Sequence, residues 1–174
     1  RLIIDSLRQR YPDLRFISSE SECGNGQMNW RAGEHTFHLL ADYIGKGCDE
    51  YYIWNFILCD QGKSTWGWKQ NALIQVKSAN LTHRYTPEFY AVKHFSHFVT
   101  PGSSMMGYTP REQTGGVPVI VFKRPDNRYV VIIGNQTDTE RSTTVKLGKK
   151  YINMTLPAHS MRTFISRQQL KLTY

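Results

Sequence analysis

Leu14-Arg15-Phe16-Ile17-Ser18, running into Ser19-Glu20-Ser21-Glu22-Cys23-Gly24-Asn25-Gly26, is the stretch on which the fold reading turns. Its first part is a short apolar run that reads as a buried strand. Its second part is polar and then glycine-rich, which reads as a loop. Upstream, Leu2, Ile3, Ile4 and Leu7 form one face of a helix over residues 2–10. Tyr11-Pro12-Asp13 stops it, because proline disfavours helical geometry in the residue before it. Downstream, Phe37, Leu40, Ala41 and Ile44 recur with helical spacing over residues 30–45, and Gly45-Lys46-Gly47 supplies the stop. The continuous apolar run Tyr51-Tyr52-Ile53-Trp54-Asn55-Phe56-Ile57-Leu58 then reads as a second strand, covered on both faces as in a parallel sheet. Helix, strand, helix, strand in that order is the pattern of a βαβ unit.

Beyond it the reading is a long loop from Asp60 to about Gln70, then a helix opened by Thr86-Pro87-Glu88 and carrying Phe89, Val92, Phe95 and Phe98. After Pro101-Gly102 the pattern changes. Strand-like segments fall near 103–109, 117–124, 128–135, 141–147, 150–156 and 160–166, separated by turns at Pro125-Asp126-Asn127, Gly148-Lys149 and Pro157-Ala158-His159. Short strands at this spacing predict an antiparallel sandwich. The fold class is therefore α/β followed by all-β, with domains at 1–100 and 101–174.

Composition agrees with a globular chain: of 174 residues 40% are hydrophobic, 21% charged and 13% aromatic, which excludes a disordered segment. No apolar run is long enough to read as a membrane-spanning helix. The start lacks Met and a signal-peptide pattern, so the chain is expected to begin inside a longer protein. The net charge of +8 lies almost wholly in residues 101–174, with 11 Lys/Arg against 4 Asp/Glu. Such a surface can bind polyanions or stand as a solvated basic face. The latter is preferred, because no cluster is denser than Lys149-Lys150. Cys23, Cys48 and Cys59 match no metal-binding spacing and are read as buried thiols, one disulfide being the alternative. No metal and no cofactor are expected. Asn-x-Thr sequons stand at Asn80, Asn135 and Asn153.

Glu20 sits just past the C-terminal end of the first strand, where catalytic side chains project in α/β barrels. Trp54 and Asn55 occupy the matching end of the next strand, and the following loop adds Trp66, Trp68, Gln70 and Asn71. Carboxylate, indoles and amides together suit a sugar, whose C–H faces stack on aromatic rings and whose hydroxyls bond to amides. Taken singly, each has a blander reading: a solvated loop Glu, a core Trp.

The runs Phe16 to Gly26, Tyr52-Ile53-Trp54-Asn55, Gly62-Lys63-Ser64-Thr65-Trp66-Gly67-Trp68-Lys69-Gln70-Asn71, and Tyr85-Thr86-Pro87-Glu88-Phe89-Tyr90 through Lys93-His94-Phe95-Ser96-His97-Phe98 resemble segments of glycoside hydrolase family 30. That resemblance implies the last two βα units of a (β/α)8 TIM barrel followed by a β-sandwich side domain. It implies a retaining glycosidase acting on β-glucosides, of the β-1,6-glucanase or glucosylceramidase kind. Glu20 would be the nucleophile, with Glu22 as the local rival. Trp54, Trp66 and Trp68 would line the sugar site, and Asn55, Gln70 and Asn71 would contact hydroxyls. It also implies a secreted, periplasmic or cell-surface location. The family's acid/base carboxylate belongs to an Asn-Glu motif on an earlier strand, and the sequence holds no Asn-Glu pair. A complementary N-terminal polypeptide carrying that group is the expected partner, with a β-linked glucoside or glucan as substrate, and no nucleic acid. The alternative is a non-catalytic carbohydrate-binding or interaction module.

Overall fold

A computed structural model describes residues 2–166. The last part of the expected sandwich domain, residues 167–174, lies outside the described residues. The chain divides into two compact units, Arg1–Val92 and a second beginning at Lys93.

The first unit opens with α1 (Leu2–Arg10), β1 (Ile17–Ser18), α2 (Trp30–Gly45) and β2 (Glu50–Tyr51). β1 and β2 pair in parallel, Ile17 with Glu50 and Ser18 with Tyr51, so the expected β-α-β order is present. Asn29 caps α2 by accepting from the Ala32 amide at 3.1 Å. The face predicted from its period is the face that is buried, with Phe37, His38, Leu40 and Ala41 inside. A Cβ on Gly33 would stand 2.7 Å from the Pro87 side chain, so α2 and the start of α3 (Pro87–Ser96) meet where only glycine fits.

The run 51–58 departs from its reading as one covered strand. It splits into β2 and a separate β3 (Ile57–Cys59), which pairs in parallel with β4 (Ile74–Val76); β4 in turn pairs antiparallel with β5 (His83–Tyr85). The break has a local cause. The Trp54 amide donates to Ser21 Oγ at 2.8 Å instead of to a strand carbonyl, and the Asn55 side chain reaches the Asn71 carbonyl at 3.1 Å. Tyr52, Trp54, Phe56 and Ile57 are exposed, as are Leu14 and Ile17 of the first run, whose strand is confined to Ile17–Ser18. The cysteine reading is corrected likewise. All three are free thiols, but only Cys48 is buried, Cys23 being half-buried and Cys59 exposed on β3.

The second unit is a sandwich. β6 (Ser104–Thr109), β7 (Val119–Lys123), β8 (Tyr129–Asn135) and β11 (Ser160–Ile165) form an antiparallel sheet ordered β11-β8-β7-β6. β9 (Arg141–Leu147) and β10 (Lys150–Leu156) form a separate hairpin. One face of the sheet, with Val119, Val121, Tyr129, Val131 and Ile133, packs on Val145, Leu147, Met154 and Leu156 of the hairpin. The alternating burial along β9 and β10 follows from that single covered face, whereas β8 is buried at every position. His94, on the part of α3 belonging to this unit, meets Thr163 Oγ1 at 2.8 Å. Thr163 stands opposite Ile132, so this contact lies on the sheet's other face.

Asn135 explains how the end of β8 is locked. It is fully buried, and its amide donates to the carbonyls of Thr139, Leu156 and Pro157 while its oxygen accepts from Thr137. Its sequon is therefore a structural device, whereas Asn80 and Asn153 are exposed.

Candidate active site

The loop carrying Glu20 is an extension of β1 that continues alongside the chain leaving β2. The Tyr52 amide donates to the Ser18 carbonyl at 2.9 Å and the Trp54 amide to Ser21 Oγ. Glu20 lies between those two ties, exposed, beside the Tyr52–Trp54 segment. Trp54 is 49% exposed, too open for a core residue of its size.

Further along, the loop is fastened from the opposite side by Asn71. The Asn71 amide donates to the Cys23 carbonyl at 2.7 Å, and its side-chain oxygen accepts from the Gly26 amide at 2.6 Å. Both glycines have positive φ, +69° at Gly24 and +80° at Gly26, a region where a Cβ is strained. At Gly24 a Cβ would also stand 2.4 Å from Asn71 Cγ. The sequence Cys23-Gly24-Asn25-Gly26 is thus a turn built to let backbone press against Asn71.

Glu22, the rival carboxylate, is turned toward α2, where its Oε2 lies 2.7 Å from His35 Nε2. Both side chains are more than half exposed, so the pair orients Glu22 more than it stabilises the fold. Behind the loop is a small cavity of about 50 Å³, lined among others by Ser21, Glu22, His35, Asn55, Asn71 and Glu88. Glu88 is buried, and that burial raises its carboxyl above the usual range, opposed by hydrogen bonds from Asn71 and Thr36 and by the nearby His35. Its placement follows from Thr86, whose hydroxyl bonds the Ala72 and Leu73 carbonyls at 2.8 and 3.1 Å and also meets the Phe89 amide. The Tyr51 hydroxyl, on the same cavity, is pushed up to about 12, chiefly by burial.

Trp66 and Trp68 sit on a tight hairpin closed by the Lys63–Lys69 bridge. The Gly67 amide donates to the Ser64 carbonyl, Gly67 takes φ +81°, and the Ser64 amide donates to the Trp68 carbonyl. A turn followed by a left-handed glycine is a standard three-residue hairpin. It sets the two indoles side by side, ring centres 5.4 Å apart and planes 33° apart, both exposed.

Of the residues singled out in sequence, Asn55, Gln70 and Asn71 are brought together by hydrogen bonds, with Asn55 Nδ2 at 3.5 Å from Gln70 Oε1. Gln70 and Asn71 are buried, and the Asn71 side chain is engaged by the Gly26 amide. Trp30, at the start of α2, is 41% exposed. His35, Thr36 and Glu88 were not singled out. Glu88 follows Thr-Pro at a helix start, where an acidic residue is ordinary, and nothing in that local pattern marks its burial. Among the described residues no group of three or more His, Cys, Asp or Glu stands ready to hold a metal, and no helix is long and apolar enough to cross a membrane.

The α/β unit followed by an antiparallel sandwich has counterparts among known proteins. Residues 98–164 match the glycosyl hydrolase family 30 beta sandwich domain. The chain is 26% identical over 171 residues to the lysosomal acid glucosylceramidase of Mus musculus, an alignment covering 91% of this chain and 32% of that protein. It is 25% identical over 135 residues to putative glucosylceramidase 2 of Caenorhabditis elegans, covering 72% and 26%. Among solved structures, SrfJ from Salmonella typhimurium superposes with a TM-score of 0.81 at 28% identity, covering 95% of this chain and 38% of the other. An endo-β1,6-glucanase superposes at 0.77 and 20% identity, covering 93% and 38%. The family match lies in residues 98–164, the rest of the chain is similar to parts of these proteins, and the chain spans a third or less of the length of the curated relatives.

Proposed function

We propose that this chain is the nucleophile-bearing portion of a retaining β-glycosidase, with Glu20 as nucleophile. The observation that carries the reading is the placement of Glu20. It is exposed, just past the end of β1 in a parallel β-α-β unit, and tied on both flanks to the segment that presents Trp54. Glu22 is engaged with His35, which favours Glu20 over it.

In such an enzyme the Glu20 carboxylate attacks the anomeric carbon. The glycosidic C–O bond breaks, its oxygen takes a proton from a second carboxylic acid, and a glycosyl ester on Glu20 results. Water, deprotonated by that second group, then cleaves the ester with net retention. The two carboxyls stand roughly 5–5.5 Å apart. The second carboxyl belongs to a complementary N-terminal polypeptide of roughly 200–300 residues that would complete a (β/α)8 barrel with β1 and the strands following it. The exposed indoles of Trp54, Trp66 and Trp68 suit stacking against β-glucoside rings, as in a β-1,6-glucan or a glucosylceramide-type substrate. Substrates of that kind suit a secreted, periplasmic or cell-surface enzyme.

The test is Glu20→Gln in the full-length enzyme, together with labelling by a fluoro-sugar that traps the glycosyl ester. Loss of turnover with the fold retained, and an adduct on Glu20, is the expected result. An adduct on Glu22, or full activity in the Gln variant, overturns the assignment. A well-folded monomer of this chain alone that hydrolyses a β-glucoside would overturn the need for a complementary polypeptide, as would light scattering showing that chain stable and monodisperse together with activity.

A further inference from the structure

Glu20 and Glu22 stand two residues apart on the loop that leaves β1, both exposed, so the chain carries two carboxylates into one neighbourhood. An extended backbone rises about 3.3 Å per residue, which separates their Cα atoms by roughly 7 Å. At that range two like charges still oppose each other's ionisation. Ser21, between them, accepts from the Trp54 amide at 2.8 Å, which ties the backbone to the Tyr52–Trp54 segment. The Glu22 side chain is anchored elsewhere, its Oε2 lying 2.7 Å from His35 Nε2 on α2. α2 is placed independently of that contact. Asn29 caps its start, and Gly33, two residues before His35, meets Pro87 where an added Cβ would stand 2.7 Å away. Thr36, the next residue, donates to the buried Glu88 at 3.3 Å. The backbone that carries His35 is therefore fixed, and Glu22 is the partner that comes to it.

We infer that His35 is a positioning residue that holds the Glu22 carboxylate on α2 and so keeps a second negative charge away from Glu20; the inference rests on the reading of Glu20 as nucleophile. With its proton on Nε2 the neutral ring donates to Glu22, and the imidazolium does so too, so the hold is geometric and needs no charge on the ring. A pair this open adds little to the stability of the fold, and selecting one rotamer of one exposed side chain takes no more than that. Without the donor, the Glu22 carboxylate is released to all its rotamers, among them those nearer Glu20. A carboxylate attacks only when ionised, and a like charge nearby disfavours that form, so activity is lost first at the acid end. The other charged or titratable groups around the pair are Arg31, one turn earlier on α2, Glu34 beside His35, Tyr51 from β2 and Glu88 from α3. All four stay in place in every variant below, so a difference between variants reports Glu22.

The experiment measures kcat/KM against pH in the full-length enzyme and in its His35→Ala, His35→Gln and His35→Ala/Glu22→Gln variants, after fluoro-sugar trapping has located the glycosyl ester. Alanine is the best helix former and His35 is half-exposed, so His35→Ala keeps the fold. The acidic limb of the profile reports the ionisation that the free enzyme needs. In His35→Ala the limb moves up by roughly half to one pH unit, which is a loss of about three- to tenfold in kcat/KM on the limb and little on the plateau. His35→Gln, whose side-chain amide still donates to Glu22, keeps the limb where the wild type has it. The double variant, lacking the Glu22 charge, returns the limb to that position. A lowered plateau with an unmoved limb in His35→Ala marks a merely structural role and overturns the inference, as does a shift that Glu22→Gln fails to reverse. With the ester on Glu20, either result leaves the nucleophile reading standing; an ester on Glu22 overturns both.

Discussion

Gly24→Ala should damage the loop far more than Gly67→Ala, although both glycines have nearly the same left-handed backbone, φ +69° and +81°. The shared cost is that of placing an L-residue there, about 1–2 kcal/mol. At Gly67 nothing lies within 4 Å of the added Cβ, so that cost is the whole effect. At Gly24 the new Cβ would be 2.4 Å from Asn71 Cγ and 2.8 Å from Asn71 Cβ. These atoms are near the root of a buried side chain, so a distal rotation does not clear the clash. Asn71 must move as a unit, and its bonds to Cys23 and Gly26 move with it. Leaving a buried polar group unpaired costs about 1–3 kcal/mol. The expected total at Gly24 is thus about 2–5 kcal/mol against about 1–2 kcal/mol at Gly67. Urea denaturation of the full-length protein gives both values, and turnover measured alongside shows whether the loop is displaced in folded molecules. Equal, mild effects at the two glycines would refute the argument that Asn71 occupies the space the loop requires.

Asn135→Ala removes the amide that donates to the carbonyls of Thr139, Leu156 and Pro157, of which Thr139 and Pro157 keep hydroxyl donors from Thr137 and Ser160. It should destabilise the sandwich by about 2–4 kcal/mol, read as a lower denaturation midpoint; and in protein passed through a eukaryotic secretory pathway, mass spectrometry should find no glycan on Asn135 of folded material. Trp54→Ala should lower kcat/KM of the full-length enzyme by about tenfold or more, from loss of a stacked indole, whereas Trp30→Ala, on α2, should change it less than about threefold; equal effects would contradict the platform role. Glu88 has a folded pKa above its ordinary 4.5, so it binds its proton more tightly folded than unfolded, and the stability it confers is present below pH 4.5 and is lost as pH rises through the higher folded value. The melting temperature of Glu88→Gln relative to the wild type should accordingly rise between pH 4 and pH 7, and a constant difference across that range would show that burial does not shift the group.

The sandwich was legible in sequence because each of its strands is long enough to state its own environment. Val119 to Phe122 and Tyr129 to Ile133 are continuous apolar runs and are buried on both faces, while Val145 and Leu147 alternate with exposed polar residues and are buried on one. The helices were legible for the same reason, their periods being long. The run 51–58 was not, because apolarity signals a surface to be covered and says nothing of which chain pairs with it. Its division depends on Asn55 and Ser21 bonding across sequence separations that no local pattern encodes. Ile74-Gln75-Val76 and His83-Arg84-Tyr85 went unread as strands because each is only three residues long and the second is wholly exposed. The candidate site divides in the same manner. Glu20 could be singled out because a strand end is visible in sequence, whereas Glu88 is defined by its burial and by a bond from Thr36, 52 positions away.

The two units meet the demands of folding unequally, and the inequality bears on the chemistry. The sandwich encloses a contiguous apolar core, with Met105, Met106 and Tyr151 left exposed on its strands. In the unit that carries Glu20, a group of apolar residues around β1 and from β2 into β3 is exposed: Leu14, Ile17, Tyr52, Trp54, Phe56 and Ile57. β1 and β2 are two residues each, too short to be stable as an isolated pair. A carboxylate in that setting is solvated, and a solvated carboxylate is a weak nucleophile with no acid opposite it to protonate the leaving oxygen. On the proposed reading both deficits have one remedy. A polypeptide that extends the parallel sheet beside β1 would cover the apolar residues, exclude water from the mouth around Glu20, and bring a second carboxyl to the far side of the same cleft. Stability of this unit and activity at Glu20 should then be acquired together, since the surface that folds the unit and the surface that completes the site are the same.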